Sequence, residues 1–392
     1  MKLRIHNGGA ELYFKVMWLL TVALYIFIPI EFRFLNLVFY GIHAITILVF
    51  ALLVSLSLKQ GKIDIFNGKR LIILLALSII LVFSALLSST SISFSVHIIG
   101  ILGFLEMLFA IFIIDKVDYT DTTESFVFWV NVAIALVFVL FSRTSFAYSD
   151  EIIGSLSLGY ANPNATAIYL LMNIALLMLY TVRIQKLIPK LFVYALCTYL
   201  LYLLYETHSR TCLVAAVLIV AYILVAPKWK LPKILLPIFM LIPLVFLFFY
   251  AEMYKTGKYT DLTILGKEFY SGREGYFVKM LDNLKAYWLV GDVGQHPFEN
   301  MHNGPLALLS SGGVIGYLLY LQFTGNTIRH YYQGKVTHTQ TVALIVIFAA
   351  FIHSCSEAAL VVGGANYSIV MATFYWLLKG SKDDYGKQKN AQ

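Results

Sequence analysis

Apolar runs of about 20 residues follow one another along almost the whole chain, and nothing constrains its fold more than this. At 1.5 Å of rise per residue, about 20 residues span the ~30 Å hydrocarbon core of a bilayer. Spans are expected at Phe14–Ile30, Phe34–Leu58, Leu71–Leu87, Phe94–Ile114, Phe126–Phe141 and Ala165–Val182. The second half adds Leu191–Tyr205, Cys212–Ala226, Ile234–Tyr250, Leu306–Ile328, Thr341–Leu360 and Tyr367–Leu378. The expectation is an all-α polytopic membrane protein of about twelve transmembrane helices, 1–392 forming one integral membrane domain. Composition agrees: 60% of the residues are hydrophobic and only 13% charged, with a mean hydropathy of +0.79. No sizeable soluble domain remains between the runs.

The net charge of +8 does not point to nucleic acid, because the basic residues sit in short connectors. One alternate set holds Lys59, Lys62, Lys69 and Arg70; Arg183, Lys186 and Lys190; Lys228, Lys230 and Lys233; and Arg329 and Lys335. The tail adds Lys379, Lys382, Lys387 and Lys389. The positive-inside rule places this set and both termini in the cytoplasm. Lys2 and Arg4 precede the first run with no small-residue cleavage site after it, so that run reads as a retained span. Cys197, Cys212 and Cys355 lie in or beside apolar runs and read as small buried hydrophobes, without disulfide or zinc spacing. Asp115, Asp118, Asp121 and Glu124 read as a solvated cytoplasmic face.

One long polar segment, 251–305, interrupts the pattern and is expected outside the membrane. Ser271 and Glu274 have capping-box spacing and predict a helix with Arg273 in its first turn. Behind them Tyr276, Phe277, Met280, Leu281, Leu284, Tyr287 and Trp288 share one helical face, opposite Lys279, Asp282, Asn283 and Lys285. Such a helix either lies in the membrane interface with Trp288 at headgroup depth or forms a structural lid. The loop ends at His302-Asn303. Its Lys255, Lys258, Lys267, Arg273, Lys279 and Lys285 break the charge bias, as a basic outer site for an anion would.

Three further features fall on the same outer edge. Asn162-Pro163-Asn164 reads as a helix start, Asn164 being free to cap or to bind. His208-Ser209-Arg210-Thr211 opens a span; Arg210 there is an interfacial anchor or an anion ligand. His353 and Glu357, one helical turn apart, read as a polar pair on one face. His97 and Glu106, nine apart, fall on opposite faces. Two arginines and a histidine on one face suit a diphosphate leaving group: guanidinium forks grip its oxygens, a helix start adds backbone N–H groups, and the imidazole takes a proton from an attacking hydroxyl. With paired carboxylates scarce on that face, no divalent metal site and no cofactor is expected.

At these residues the chain resembles the O-antigen polymerase and O-antigen ligase superfamily of bacterial envelope proteins, Wzy-type capsule polymerases included. The resemblance rests on Asn162-Pro163-Asn164, Ser209-Arg210-Thr211, the long loop with Arg273, and His302-Asn303 followed by Gly312-Gly313-Val314-Ile315-Gly316. It implies a metal-independent, lipid-carrier glycosyltransferase fold of the GT-C-like kind. It also implies transfer of a glycan from an undecaprenyl-diphosphate carrier to a sugar hydroxyl at the outer face of the bacterial cytoplasmic (inner) membrane. Arg210, Arg273 and His302 would be catalytic; Asn164, Asn303 and Glu274, with the two arginines, would bind substrate. The partners implied are the lipid-linked donor and acceptor, membrane lipids and a chain-length regulator protein. Cys212 and Gly304-Pro305 depart from the family pattern. Polymerisation of lipid-linked repeats is the favoured reaction and ligation to another acceptor the alternative within the family. A transporter or flippase of lipid-linked sugars is the competing class; it would show related halves and midplane charges, whereas here no repeat is visible and the polar groups gather at the outer edge.

Overall fold

The computed structural model describes residues 5–27, 65–87, 91–114, 121–145, 147–148, 154–160, 162–225, 230–264, 267–270, 272–291, 302–332, 336–362 and 365–378. They are mostly helical. In chain order the helices are α1 (Ile5–Phe27), α2 (Ile65–Leu86), α3 (Ser91–Ile114), α4 (Asp121–Phe141), α5 (Pro163–Thr181), α6 (Leu187–Glu206) and α7 (Arg210–Val225). Then come α8 (Leu235–Lys255), α9 (Glu274–Tyr287), α10 (Gly304–Ile328), α11 (His338–His353), α12 (Ala359–Val362) and α13 (Ala365–Leu377). Among the described residues, 6 helices (α2, α4, α5, α6, α8 and α10) are long and apolar enough to cross a membrane; α1, α3, α7, α11 and α13 carry shorter apolar stretches. The expected span Phe34–Leu58 lies outside the described residues. Within the described residues the other expected runs fall on helices, with one exception.

The run Thr341–Leu360 does not continue as one helix. It stops at His353, where the Ser354 N–H turns back to Ala350 and its hydroxyl bonds the Phe351 carbonyl at 2.7 Å. Glu357 therefore leaves the helical face it was expected to share with His353.

Helix α5 is the axis of the bundle. Of its hydrophobic stretch 89% is buried, under α4, α6, α7 and α11. Helices α11 and α13 are buried in the same way, α13 against α3 and α1. The outer helices keep bare apolar sides: Ile72, Trp129, Leu140, Ile188 and Phe248 are all exposed. Rows of exposed large hydrophobics on long helices are what a lipid solvent requires.

The helices run alternately up and down, so the connectors gather at two ends. At one end Arg70 donates to Thr327 at 2.9 Å, and Arg183 donates to Thr339 at 3.0 Å and pairs with Glu124. The basic connectors at Lys69–Arg70, 183–190, 230–233 and Arg329 close this end. Glu124 is buried there, so this member of the acidic series is no solvated side chain. A carboxylate and a guanidinium in contact lose less on burial than either would alone. The opposite end carries the long loop and the starts of α5, α7 and α10.

Helix α10 contains a break that joins the loop to the bundle. Gly313 has φ 60 and ψ −164. The turn after α9 enters this break: Val314 and Ile315 donate to the carbonyls of Trp288 and Leu289 at 2.9 and 3.4 Å. A β-carbon on Gly313 would lie 2.1 Å from the Leu289 oxygen, and one on Gly291 (φ 84) would lie 2.2 Å from the Ser310 oxygen. No side chain larger than hydrogen fits at either position. Helix α9 turns Phe277, Met280 and Leu284 inward against α8 and α10, while Tyr287, Trp288, Leu289 and Val290 are exposed. Its apolar face divides: three residues join the core, and only its end presents apolar surface outward.

Candidate functional site

A cavity of about 990 Å³ opens at the loop end of the bundle. Its walls are Asn162 and Asn164 at the start of α5, His208 to Thr211 and Val214 at the start of α7, and Ile242, Phe246 and Tyr250 on α8. The loop adds Ile264, Glu268, Phe269, Tyr270 and Arg273, α9 adds Phe277, and the end of α11 adds Ile352, Cys355, Ser356 and Glu357. Four segments far apart in sequence thus converge on one space.

Local sequence explains how each is aimed. Asn162 is extended (φ −137, ψ 127) before Pro163, and its side chain accepts from the Asn164 N–H at 2.8 Å, which starts α5. That leaves the Asn164 amide to face the cavity. Helix α7 begins at Arg210, as the Ser209-Arg210-Thr211 spacing predicts. In the loop, β1 (Thr263–Ile264) pairs antiparallel with β2 (Lys267–Glu268), and the Glu268 carbonyl accepts from Arg210 Nη2 at 3.0 Å. Tyr250 donates to the Tyr270 carbonyl and Tyr270 to that of Lys258. These phenols, ringed by Phe246, Phe269 and Phe277, hold the loop on the end of α8.

Glu357 is the centre of the polar network. Its Oε1 accepts from Asn164 Nδ2 at 3.0 Å and from Arg273 Nη2 at 2.6 Å; its Oε2 meets His302 Nδ1 at 3.3 Å. Arg273 Nη1 also donates to the Ser356 carbonyl, and the Ser356 hydroxyl lies 3.0 Å from that of Thr211. The carboxylate side chain is only 12% exposed. Burial pushes its pKa up, but the hydrogen bond from His302 and the charges of Arg273 and His302 more than offset this, so it lies below its ordinary value. Glu357 is ionised at neutral pH and fixes three side chains from three other elements.

Of the residues expected at a site, Arg210, Arg273 and Asn164 line the cavity. His302 does not form part of its wall; it joins through Glu357, and its own side chain is 37% exposed. With Nδ1 donating to the carboxylate, Nε2 is left as an acceptor. Two expectations are corrected. Asn303 is fully buried away from the cavity: its Oδ1 caps α10 through the Leu306 N–H at 2.9 Å, and its Nδ2 donates to the carbonyls of Cys355 at 2.9 Å and Pro243 at 3.4 Å. All its groups are spent on holding α10 to α8 and to the turn after α11. Glu274 is the first residue of α9, where a carboxylate suits the helix dipole, and it does not line the cavity. Arg273 occupies the N-cap position with no side-chain cap, and Ser271 lies outside the described residues. Arg273 is drawn instead to Glu357 and Ser356.

Helical periodicity pairs Glu357 with His353, and that pairing hid its place in the network. The signal was present in Ser354, Cys355 and Ser356, a poor helical stretch that could have marked a turn. In the sequence His208 stands only as a flank of Arg210, with no signal of its own. Both His208 (φ 54) and His302 (φ 48) hold left-handed backbone, a conformation that costs a non-glycine residue about 1–3 kcal/mol and recurs at functional sites. Among the described residues no three His, Cys, Asp or Glu side chains gather as a metal would need. All three cysteines are buried free thiols, as their apolar settings predicted.

No family model matches the chain, and neither the curated proteins nor the solved structures contain one that is similar to it.

Proposed function

We propose that this chain is a membrane glycosyltransferase that polymerises lipid-linked repeat units of a surface polysaccharide. Its about twelve spans would adopt a GT-C-like arrangement in the bacterial cytoplasmic membrane, with both termini in the cytoplasm and the cavity outside. The donor is a glycan on undecaprenyl diphosphate, the acceptor the terminal sugar of a new lipid-linked unit, and a chain-length regulator is a further partner. The reading extends the resemblance to the O-antigen polymerase and ligase superfamily, and one observation carries it. The Glu357 carboxylate gathers Asn164, Arg273 and His302 beside a cavity that also holds Arg210.

In this reading the acceptor hydroxyl attacks the anomeric carbon of the donor sugar from the face opposite the diphosphate. Nε2 of His302 takes the hydroxyl proton as the new C–O bond forms, and Glu357 steadies the resulting imidazolium through Nδ1. The bond from the anomeric carbon to the phosphate oxygen breaks with its electron pair leaving on the diphosphate. Arg210 and Arg273 offset the charge that accumulates there. Backside attack inverts the anomeric centre.

The direct test is to incubate the purified protein with a synthetic lipid-linked repeat and run the products on a gel. A ladder of lengthening chains is expected from the native protein, and none from His302→Gln, which hydrogen-bonds but accepts no proton. A ladder of normal intensity from His302→Gln removes the histidine from the chemistry; no ladder from the native protein removes the function.

A further inference from the structure

His208 has a place in the cavity that the mechanism above does not use. Thr207 is the C-cap of α6, and the next residue turns left-handed (φ 54), a position that glycine or asparagine normally fills. A β-branched or bulky side chain is sterically unwelcome there, and the turn itself needs nothing from an imidazole: Thr207 already gives its hydroxyl to the Leu204 carbonyl and accepts from the Ser209 N–H. The ring is nevertheless positioned. Its Nδ1 lies 3.2 Å from the hydroxyl of Ser155, itself buried, and the Leu156 N–H is tied to the Glu206 carbonyl at 2.9 Å, so that this segment is fastened to the end of α6. Leu158 and Tyr259 also have positive φ but do not line the cavity. His208 does, two residues before Arg210.

We propose that His208 is a third diphosphate-binding side chain, donating from Nε2 to a phosphoryl oxygen beside Arg210. In this role Nδ1 accepts from the Ser155 hydroxyl, 3.2 Å away, and the ring proton sits on Nε2, the edge left to a ligand. A neutral N–H donor next to a guanidinium completes the coordination of an oxyanion without adding a charge that must itself be neutralised. The proposal rests on the reading of the cavity as a diphosphate site.

The test exploits the backbone. His208→Gly removes the ring at a position glycine prefers, so the variant should melt no earlier than the native protein. Binding is measured calorimetrically on the full chain in detergent, with farnesyl diphosphate and with inorganic diphosphate as probes, and with Arg210→Ala alongside. His208→Gly is expected to raise the Kd for both probes about tenfold, the loss of one hydrogen bond to a charged group. Unchanged binding to both, while Arg210→Ala loses it, overturns the role of His208 alone. A loss confined to farnesyl diphosphate also overturns it, since the ring would then pack on the isoprenoid chain. A variant that melts earlier makes the ring structural. No binding by the native protein overturns the diphosphate reading and this proposal together.

Discussion

Replacing Glu357 by glutamine changes one atom and three relationships. The amide oxygen can still accept from Arg273 and Asn164, which now sit 2.6 and 3.0 Å from Oε1. The amide nitrogen then faces His302 Nδ1, where Oε2 is 3.3 Å away. An N–H there makes Nδ1 the acceptor and moves the ring proton to Nε2, the wrong tautomer for a base. Turnover should fall by the worth of general-base assistance, about 10²–10⁴-fold. Arg273 also loses its counter-charge. Breaking a fully buried pair costs about 3–5 kcal/mol, and with the arginine side chain 20% exposed we expect about 1–3 kcal/mol, a charged hydrogen bond's worth. Acid gives a second readout. The Glu357 carboxyl lies below its usual 4.5 because His302 and Arg273 outweigh the effect of burial. A depressed carboxyl stabilises the fold above its ordinary value and loses that contribution only as pH falls through the depressed one. The native protein should therefore keep this pair through pH 4.5 and lose it below, whereas Glu357→Gln should lack that acid-side loss. The assay is turnover of lipid-linked repeats by the purified variant, beside its melting temperature in detergent from neutral pH downward. Near-native turnover in a well-folded Glu357→Gln protein would refute the His302–Glu357 dyad.

Arg210→Lys and Arg273→Lys keep the charge but lose the planar fork, and each should lower turnover about tenfold or more, measured on the same gel; two fully active lysine variants would make these arginines mere anchors. Gly313→Ala places a β-carbon 2.1 Å from the Leu289 oxygen and should destabilise the protein by about 1–3 kcal/mol, read as a lower melting temperature; Gly325→Ala, with nothing near its β-carbon, is the control and should melt as the native protein does. A single cysteine at Lys258 should react with an impermeant thiol reagent applied to intact cells and one at Lys230 should not; the reverse result would place the cavity on the cytoplasmic side.

The helical architecture was legible because lipid admits few solutions: long apolar runs must close their own backbone hydrogen bonds, and within the described residues the expected runs fall on helices, Thr341–Leu360 breaking after His353. The start of α5 was legible for a local reason, since Asn162-Pro163-Asn164 carries its capping chemistry in adjacent residues, whereas the same cap at Asn303-Gly304-Pro305 went unread. That Arg210, Arg273 and Asn164 share the loop end of the bundle was legible from their positions relative to the apolar runs. What escaped depended on contacts between distant segments. Asn303 looked like a ligand because sequence cannot show that Cys355 and Pro243 already use its amide. Glu357 looked like the partner of His353 because periodicity assumes a helix that in fact ends four residues earlier. The buried Glu124–Arg183 pair joins residues 59 apart and leaves no mark in either local pattern.

The turn that enters the break in α10 makes α9 a strut at the loop end of the bundle. Helix α9 has 14 residues, about 21 Å of rigid rod. Its far end is bolted to a membrane helix through the carbonyls of Trp288 and Leu289; its near end carries Arg273. The position of the guanidinium that holds Glu357 is thereby tied, through one helix, to the break at Gly313.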